Sequence, residues 1–175
     1  NGFLAINLNQ GGSLDNFQPG LDFFKALKDA GNLNTIDVTD ATIDSGQTGV
    51  VFDWSYNQAA IKERLSKQQN VDWEVLTLPN GEVEQYYNQA VNKDAPHPAA
   101  ARLWEEYLYS PDAQNEWMRG GAIPSLLEKM KKDGTVDKDA LAKLPEIKKP
   151  VTYTSKQADA MTTWLGKNWP KTIGN

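Results

Sequence analysis

The sequence predicts an α/β fold, on three observations. A short β-branched and aromatic run, Val50-Val51-Phe52, follows a glycine-containing turn and leads into a helix-like segment at residues 58–67. A strand feeding a helix is the elementary α/β step. Residues 71–78, Val-Asp-Trp-Glu-Val-Leu-Thr-Leu, alternate apolar and polar side chains, the period of a half-exposed strand. Stretches of helical periodicity flank both. With 175 residues the chain is long enough for one domain with a core, or for part of a two-domain protein.

Taken in order, residues 1–9 read as a helix end closed by Gly11-Gly12, and Ser13 or Asp15 is placed to cap the next helix. That helix carries Leu21, Phe24, Leu27 and Ala30 at three-residue spacing, and Gly31 stops it. Residues 34–44 read as a turn-rich link before the strand at residues 50–54 and the helix at 58–67. After the strand at 71–78, Pro79-Asn80-Gly81 signals a turn, and residues 85–91 read as another strand. The prolines around His97 open a helix whose Ala100, Leu103, Trp104, Tyr107 and Leu108 form its expected buried face. Ser110-Pro111-Asp112 starts a second helix with a cap, a proline in its first turn and an acid near its positive end. Gly120-Gly121 closes it. Ser125 and Glu128 have capping-box spacing for a third helix, which Asp133-Gly134 breaks. A small helix follows at 138–143 and a linker at 145–150. Ser155 begins a last helix with Ala158, Met161, Leu165 and Trp169 on one side. No internal repeat or low-complexity tract stands out.

Composition removes several function classes. The formal net charge of −5 and a pI of about 4.9 argue against nucleic acid as a partner, which calls for a basic stripe. Without cysteine there are no disulfides, thiolate metal sites or cysteine nucleophiles. No apolar run approaches the roughly 20 residues that span a bilayer. The opening Asn1-Gly2-Phe3-Leu4-Ala5-Ile6 is apolar from the start, and reads as the tail of a helix in a fragment or processed product.

The chemistry narrows in the same way. His97 is the one histidine, set between Pro96 and Pro98, so neither a catalytic triad nor a histidine metal site is expected; a surface role is. No EF-hand spacing is present, and no metal or cofactor is expected. The pairs Glu105-Glu106 and Asp137/Asp139 read as solvated helix faces. The aromatic residues carry more information. In open α/β sheets ligands sit beyond the carboxyl ends of strands, where Asp53, Trp54, Tyr56 and Asn57 stand. Tyr86 and Tyr87 lie near another strand end and point to opposite faces if that strand is regular. Each of these aromatic residues has core packing as its plain alternative. As a set with Asn88 and Gln89 they suit a small polar ligand, offering stacking faces and polar hooks. Nothing pairs a nucleophile with a base, so no enzyme is expected, and no carboxylate pair is placed for glycoside chemistry.

Three stretches carry a family resemblance. They are Gly12-Ser-Leu-Asp-Asn-Phe-Gln-Pro-Gly-Leu-Asp-Phe-Phe, Ser45-Gly-Gln-Thr-Gly-Val-Val-Phe-Asp-Trp, and Lys93-Asp-Ala-Pro-His-Pro-Ala-Ala-Ala-Arg-Leu-Trp followed by Ser110-Pro-Asp-Ala-Gln. Together the chain resembles the bacterial extracellular solute-binding proteins, receptors of ABC importers, in the branch that binds polyamines, ferric iron and phosphonates. The resemblance implies the carboxyl-terminal half of a type 2 periplasmic-binding-protein clamshell. Residues 1–84 would belong to the second lobe. Residues 85–121 would supply a hinge strand and first-lobe helices, and 122–175 would return to the second lobe. It further implies a periplasmic or extracellular location after removal of a signal peptide, with a membrane tether available to the full-length protein. The implied partners are an ABC permease and either the missing amino-terminal half or a second copy of the chain.

The ligand positions follow the same resemblance. Ferric receptors carry two consecutive tyrosines where this chain has Trp54-Ser55-Tyr56, so one phenolate ligand is replaced. Polyamine receptors resemble this chain at Trp54 and Tyr87, but Gln89 stands where an acid pairs the ammonium, and Asp53 is the group placed to compensate. The expected ligand is therefore a small polar organic solute. Asp53, Trp54, Tyr56, Asn57, Tyr86, Tyr87 and Gln89 are the expected ligand-binding residues. The alternative is a ligand-free dimerising or interaction module made from half of such a receptor.

Overall fold

The computed structural model describes residues 1–67 and 71–174. Its helices are α1 (Gly2–Asn9), α2 (Gln18–Asp29), α3 (Asp40–Asp44), α4 (Ser55–Leu65), α5 (Pro98–Leu108), α6 (Pro111–Arg119), α7 (Leu127–Asp133), α8 (Lys138–Leu141) and α9 (Ser155–Thr172). The chain divides into two compact units, one of Asn1–Trp54, Ile61–Gln85 and Glu146–Asn175, the other of Ser55–Ala60 and Tyr86–Pro145, with the boundary passing through α4.

In the first unit α1 packs along α2, and α2 along α9. Ile6, Leu21, Phe24 and Ile173 form the buried centre, ringed by Phe3, Phe23, Leu27, Leu78, Trp164 and Trp169. Phe24 is its hub, with ring centroids 5.3 Å from Trp169, 5.9 Å from Phe3 and 6.0 Å from Phe52. Such aromatic pairs add to the burial of their area. The turn between α1 and α2 is tied by Asn7, which is fully buried. Its amide donates to the carbonyls of Ser13 (3.0 Å) and Asn16 (2.9 Å) and accepts from the Gly20 N–H (2.9 Å). Gly12 is required there, since a Cβ at that position would stand 2.3 Å from Asn7 Oδ1.

Neither Ser13 nor Asp15 caps α2. The helix begins at Gln18 behind Phe17 with a proline in its first turn, while Ser13 Oγ accepts from the N–H groups of Asp15 and Asn16. Residues 34–44, expected as a link, contain the short helix α3. Its Thr39 and Thr42 bond each other's backbone in a reciprocal cap, a use of threonine that the S/T-x-x-E/Q form of the capping box does not reveal.

The expected strands at 50–54, 71–78 and 85–91 are not strands here. Among the described residues the ladder contact is a single parallel bridge, Val83 to Val151. It is made by Glu84 N–H to the Val151 carbonyl (3.0 Å) and Val151 N–H to the Glu82 carbonyl (2.8 Å). The α/β reading thus finds its helices but no sheet. The reason is physical: alternation fixes which side of a chain faces inward, but a strand exists only when a neighbour takes its N–H and C=O groups. Alternation itself survives, with Val71, Trp73 and Val75 half-buried and Asp72, Glu74 and Leu76 exposed.

In the second unit α5 packs on α6 and α6 on α8. Ser110 caps α6 as expected, accepting from the Ala113 N–H at 3.2 Å. Leu108, Ala113, Met118, Met130 and Ala140 are buried, together with two amides, Gln114 and Asn115. Gln114 donates to the Leu108 carbonyl (2.7 Å) and accepts from the Leu126 N–H and the Ser125 hydroxyl (3.3 Å each). That bond takes Ser125 away from the capping box expected of it with Glu128, and α7 starts behind Leu126 instead. Asn115 donates to the Thr135 carbonyl and accepts from the Asp137 N–H. Asp137 is more than a solvated acid. It caps α8 through the Asp139 and Ala140 N–H groups and accepts from Arg119 Nε at 2.8 Å. These donors, the Ala140 N–H first and then Arg119, hold its carboxyl below the ordinary carboxylate range.

The expected buried face of α5 is mostly exposed. Leu108 is buried, but Leu103, Trp104 and Tyr107 are 72%, 58% and 45% exposed. Periodicity marks an apolar stripe, and does not say what covers it.

Candidate functional site

The segment that precedes α4 is anchored through Phe52. Phe52 packs edge-on against Phe24 and Phe23 and lies against Gly2, where an added Cβ would sit 3.0 Å from the Phe52 carbonyl. Val50 on the same segment is 77% exposed. Asp53, at its end, is exposed, and Trp54 is half-buried with extended backbone at the N-cap of α4. Asp53 and Trp54 close the first stretch of the first unit; the remaining expected ligand residues belong to the second.

In the second unit the first turn of α4 is built against the end of α6. Gly121 has φ +85°, and a Cβ on it would stand 3.3 Å from Ala59 Cβ and 3.4 Å from Tyr56 Cα. The left-handed glycine that ends α6 therefore does two things. It adopts a conformation costly to other residues, and it lets the chain approach α4 closely enough to fix Tyr56. The half-buried Tyr56 carries its hydroxyl to 2.7 Å from the hydroxyl of Tyr87, the usual separation of an O–H···O bond. Tyr87 is 74% and Tyr86 62% exposed, and Asn57 and Gln89 are exposed as well. The structure thus brings Tyr56 and Tyr87 together across 31 residues of sequence.

Gln58 is a residue the sequence reading passed over. It is 7% exposed, in the first turn of α4 itself. A signal for it was present: Tyr56-Asn-Gln-Ala59 and Tyr87-Asn-Gln-Ala90 are the same tetrapeptide, so at this short scale the chain does repeat itself. The tyrosines that meet are the equivalent members of the two copies. His97, by contrast, is where the sequence placed it, exposed at the N-cap of α5.

Among the described residues no group of three or more His, Cys, Asp or Glu side chains converges as a cation site. The tyrosine segments are built of phenols and amides, groups able both to donate and to accept. Among the described residues no helix is long and apolar enough to cross a membrane.

No curated protein matches this chain. Residues 1–152 match a family model, that of the bacterial extracellular solute-binding proteins. The match runs from α1 through both tyrosine segments and the α5 to α8 region, stopping short of α9. Covering most of the chain, it shows that this protein belongs to the bacterial extracellular solute-binding protein family, whose role is solute binding outside the cytoplasm in the service of transport.

Proposed function

We propose that the chain is the binding component of an ABC importer, a non-enzymatic receptor that captures a small polar organic solute and delivers it to a membrane permease. The observation that carries this reading is the pair of tyrosine hydroxyls at 2.7 Å inside the region matched by the solute-binding family. Trp54 stacks on the solute, Tyr56 and Tyr87 flank it, and Asp53, Asn57 and Gln89 bond its polar groups. The complete receptor is a two-lobed α/β clamshell of the type 2 kind that closes by hinge motion. Calorimetric titration of the receptor with its solute tests this: Trp54→Ala weakens binding about tenfold or more, the loss of one stacking contact at a desolvated site. Unchanged affinity overturns the assignment of Trp54.

A second reading is favoured by one observation. Leu103, Trp104 and Tyr107 on α5, with Tyr109 and Trp117 nearby in sequence, are all 45% exposed or more. Exposed apolar groups of this size mark interaction surfaces, and an interaction module built on the same fold accounts for them without a ligand. Sedimentation across a range of concentrations separates the two. A mass that rises with concentration, and falls back on Trp104→Ser, favours the module.

A further inference from the structure

We infer that Glu82 is a clasp: it joins the segment that leaves the first unit for residues 86–145 to the segment that returns from them, so that the two act as one connector. The inference goes beyond the receptor reading above and does not depend on which solute is bound.

The first observation is where the backbone donors go. The chain leaves the first unit after Gln85 and re-enters it at Glu146. Pro150 has no N–H, so residues 148–151 hold three backbone donors, those of Lys148, Lys149 and Val151. Glu82 takes all three. Its carboxylate oxygen Oε2 accepts from the Lys148 N–H at 3.0 Å and from the Lys149 N–H at 2.7 Å. Its carbonyl accepts from the Val151 N–H at 2.8 Å. Successive N–H groups turned toward one anion form a small concave anion site, and bonds to an ionised acceptor are about twice as strong as neutral ones.

The second observation is an asymmetry of anchoring within the first unit. The outgoing segment is seated on α1: the Asn9 amide donates to the Pro79 carbonyl at 2.8 Å, and a Cβ on Gly81 would stand 2.7 Å from the Ala5 carbonyl oxygen. On the return segment Lys148, Lys149 and Pro150 are all exposed, so apolar burial does not hold that run in place. Its hydrogen bonds lead back to the outgoing segment. Besides the three to Glu82, the Val151 carbonyl accepts from the Glu84 N–H at 3.0 Å, and the Gln85 amide reaches the Tyr153 carbonyl at 3.4 Å. The parallel contact itself is one bridge, Val83 to Val151, and two strands paired over so short a length are weakly held. The Glu82 carboxylate extends the pairing from Val151 back to Lys148, toward the point where the chain re-enters the unit.

The test reads the full chain in two ways: hydrogen exchange at single amides, and the distance between two spin labels. The chain has no cysteine, so Lys167→Cys in the first unit and Lys132→Cys in the second, both at exposed positions, take the nitroxides. With Glu82 in place the Lys148 and Lys149 amides are protected. In Glu82→Ala they exchange about tenfold faster, the loss of one charge-assisted bond each, and the distance distribution widens. Glu84→Ala, which keeps its backbone bond to Val151, leaves both readouts unchanged. Faster exchange with an unchanged distance distribution shows a local role only and overturns the connector. Free exchange of both amides with Glu82 present overturns the clasp itself. Should Glu82→Ala not fold, Glu82→Gln carries the test: a neutral oxygen replaces the carboxylate, exchange rises about threefold, and the distribution widens less. No change in either readout for Glu82→Gln then overturns the inference.

Discussion

Replacing Asn7 with Ala isolates one buried amide whose three partners are all backbone groups. The side chain is fully buried, and its removal affects each partner differently. The Gly20 N–H, at 2.9 Å in a buried position, loses its acceptor, and an orphaned buried donor costs about 1 to 3 kcal/mol. The Asn16 carbonyl still accepts from the Ser13 N–H at 3.0 Å, so only the net value of a second bond is lost there, about 0.5 to 1 kcal/mol. The Ser13 carbonyl belongs to an exposed residue and recovers a bond from water. The total is about 2 to 4 kcal/mol, a large part of the stability of an ordinary domain. In urea, with a slope of about 2 kcal/mol/M, the midpoint falls by about 1 to 2 M. Tryptophan fluorescence reads the right region, because Trp164 and Trp169 pack on Phe17 and Phe24 of the same unit. Hydrogen exchange adds a local readout, in which the Gly20 amide loses protection relative to the rest of α2. A midpoint lowered by less than about 0.5 M, or a Gly20 amide as protected as before, refutes the reasoning. Asn7→Asp sharpens it: the Gly20 acceptor is kept, but a carboxylate oxygen then faces two carbonyls, so at neutral pH this variant is less stable than Asn7→Ala.

Four further outcomes follow from the second unit. Gly121→Ala places a Cβ on a residue with φ +85° and only 3.3 Å from Ala59 Cβ, and lowers stability by about 1 to 2 kcal/mol in urea unfolding; an unchanged midpoint refutes this. Asp137 has its pKa depressed by the Ala140 N–H and Arg119, so its contribution is present above the unfolded carboxylate value of about 3.9 and is lost as pH falls through the lower folded value. Asp137→Asn is therefore less stable than the natural chain at neutral pH and converges with it in acid, and an equal gap at both ends of a pH series contradicts the account. Trp104→Ser, at a residue 58% exposed, changes stability by less than about 0.5 kcal/mol. Met118→Ala, at 1% exposed, costs about 2 to 5 kcal/mol; similar losses for both would show that α5 is covered.

The sequence was legible where structure is local. Ser110, Pro111 and Asp112 announce α6, Gly134 ends α7 in the left-handed conformation, and residues 58–65 fall in α4 where helix was expected. Each of those signals acts within one turn of chain. Legibility failed where the deciding partner is distant. Ser125 has a capping-box spacing, yet Gln114, eleven residues back, holds its hydroxyl. Residues 71–78 have the alternation of a strand, yet a ladder needs a neighbour that no alternation specifies. The α5 stripe has the right period, yet its cover is a tertiary matter. The candidate site shows both sides. Tyr56 and Tyr87 were identifiable as residue types near segment ends, but their hydroxyl bond depends on Gly121 admitting close approach to α4, which no local pattern encodes. Asp53, Trp54, Asn57, Tyr86 and Gln89 rest on type, position and family resemblance.

The two units are specified by different means, and this bears on how a polar site is held. The first is centred on aromatic packing around Phe24, a cluster that tolerates repacking provided volume is kept. The second has smaller apolar groups inside, three of the five being Ala113, Ala140 and Leu108, and buries the amides Gln58, Gln114 and Asn115 beside them. Amides tolerate few arrangements, because each misplacement leaves a buried donor or acceptor unmet. Gln114 fixes the chain at Leu126 and Asn115 fixes it at Thr135 and Asp137. The helix that carries both amides ends in the Gly120-Gly121 turn that seats Tyr56. Directional bonds on α6 thus bear on the position of a hydroxyl on α4. A site that recognises its ligand by matching single donors and acceptors needs that accuracy, since tenths of an ångström separate a made hydrogen bond from a lost one.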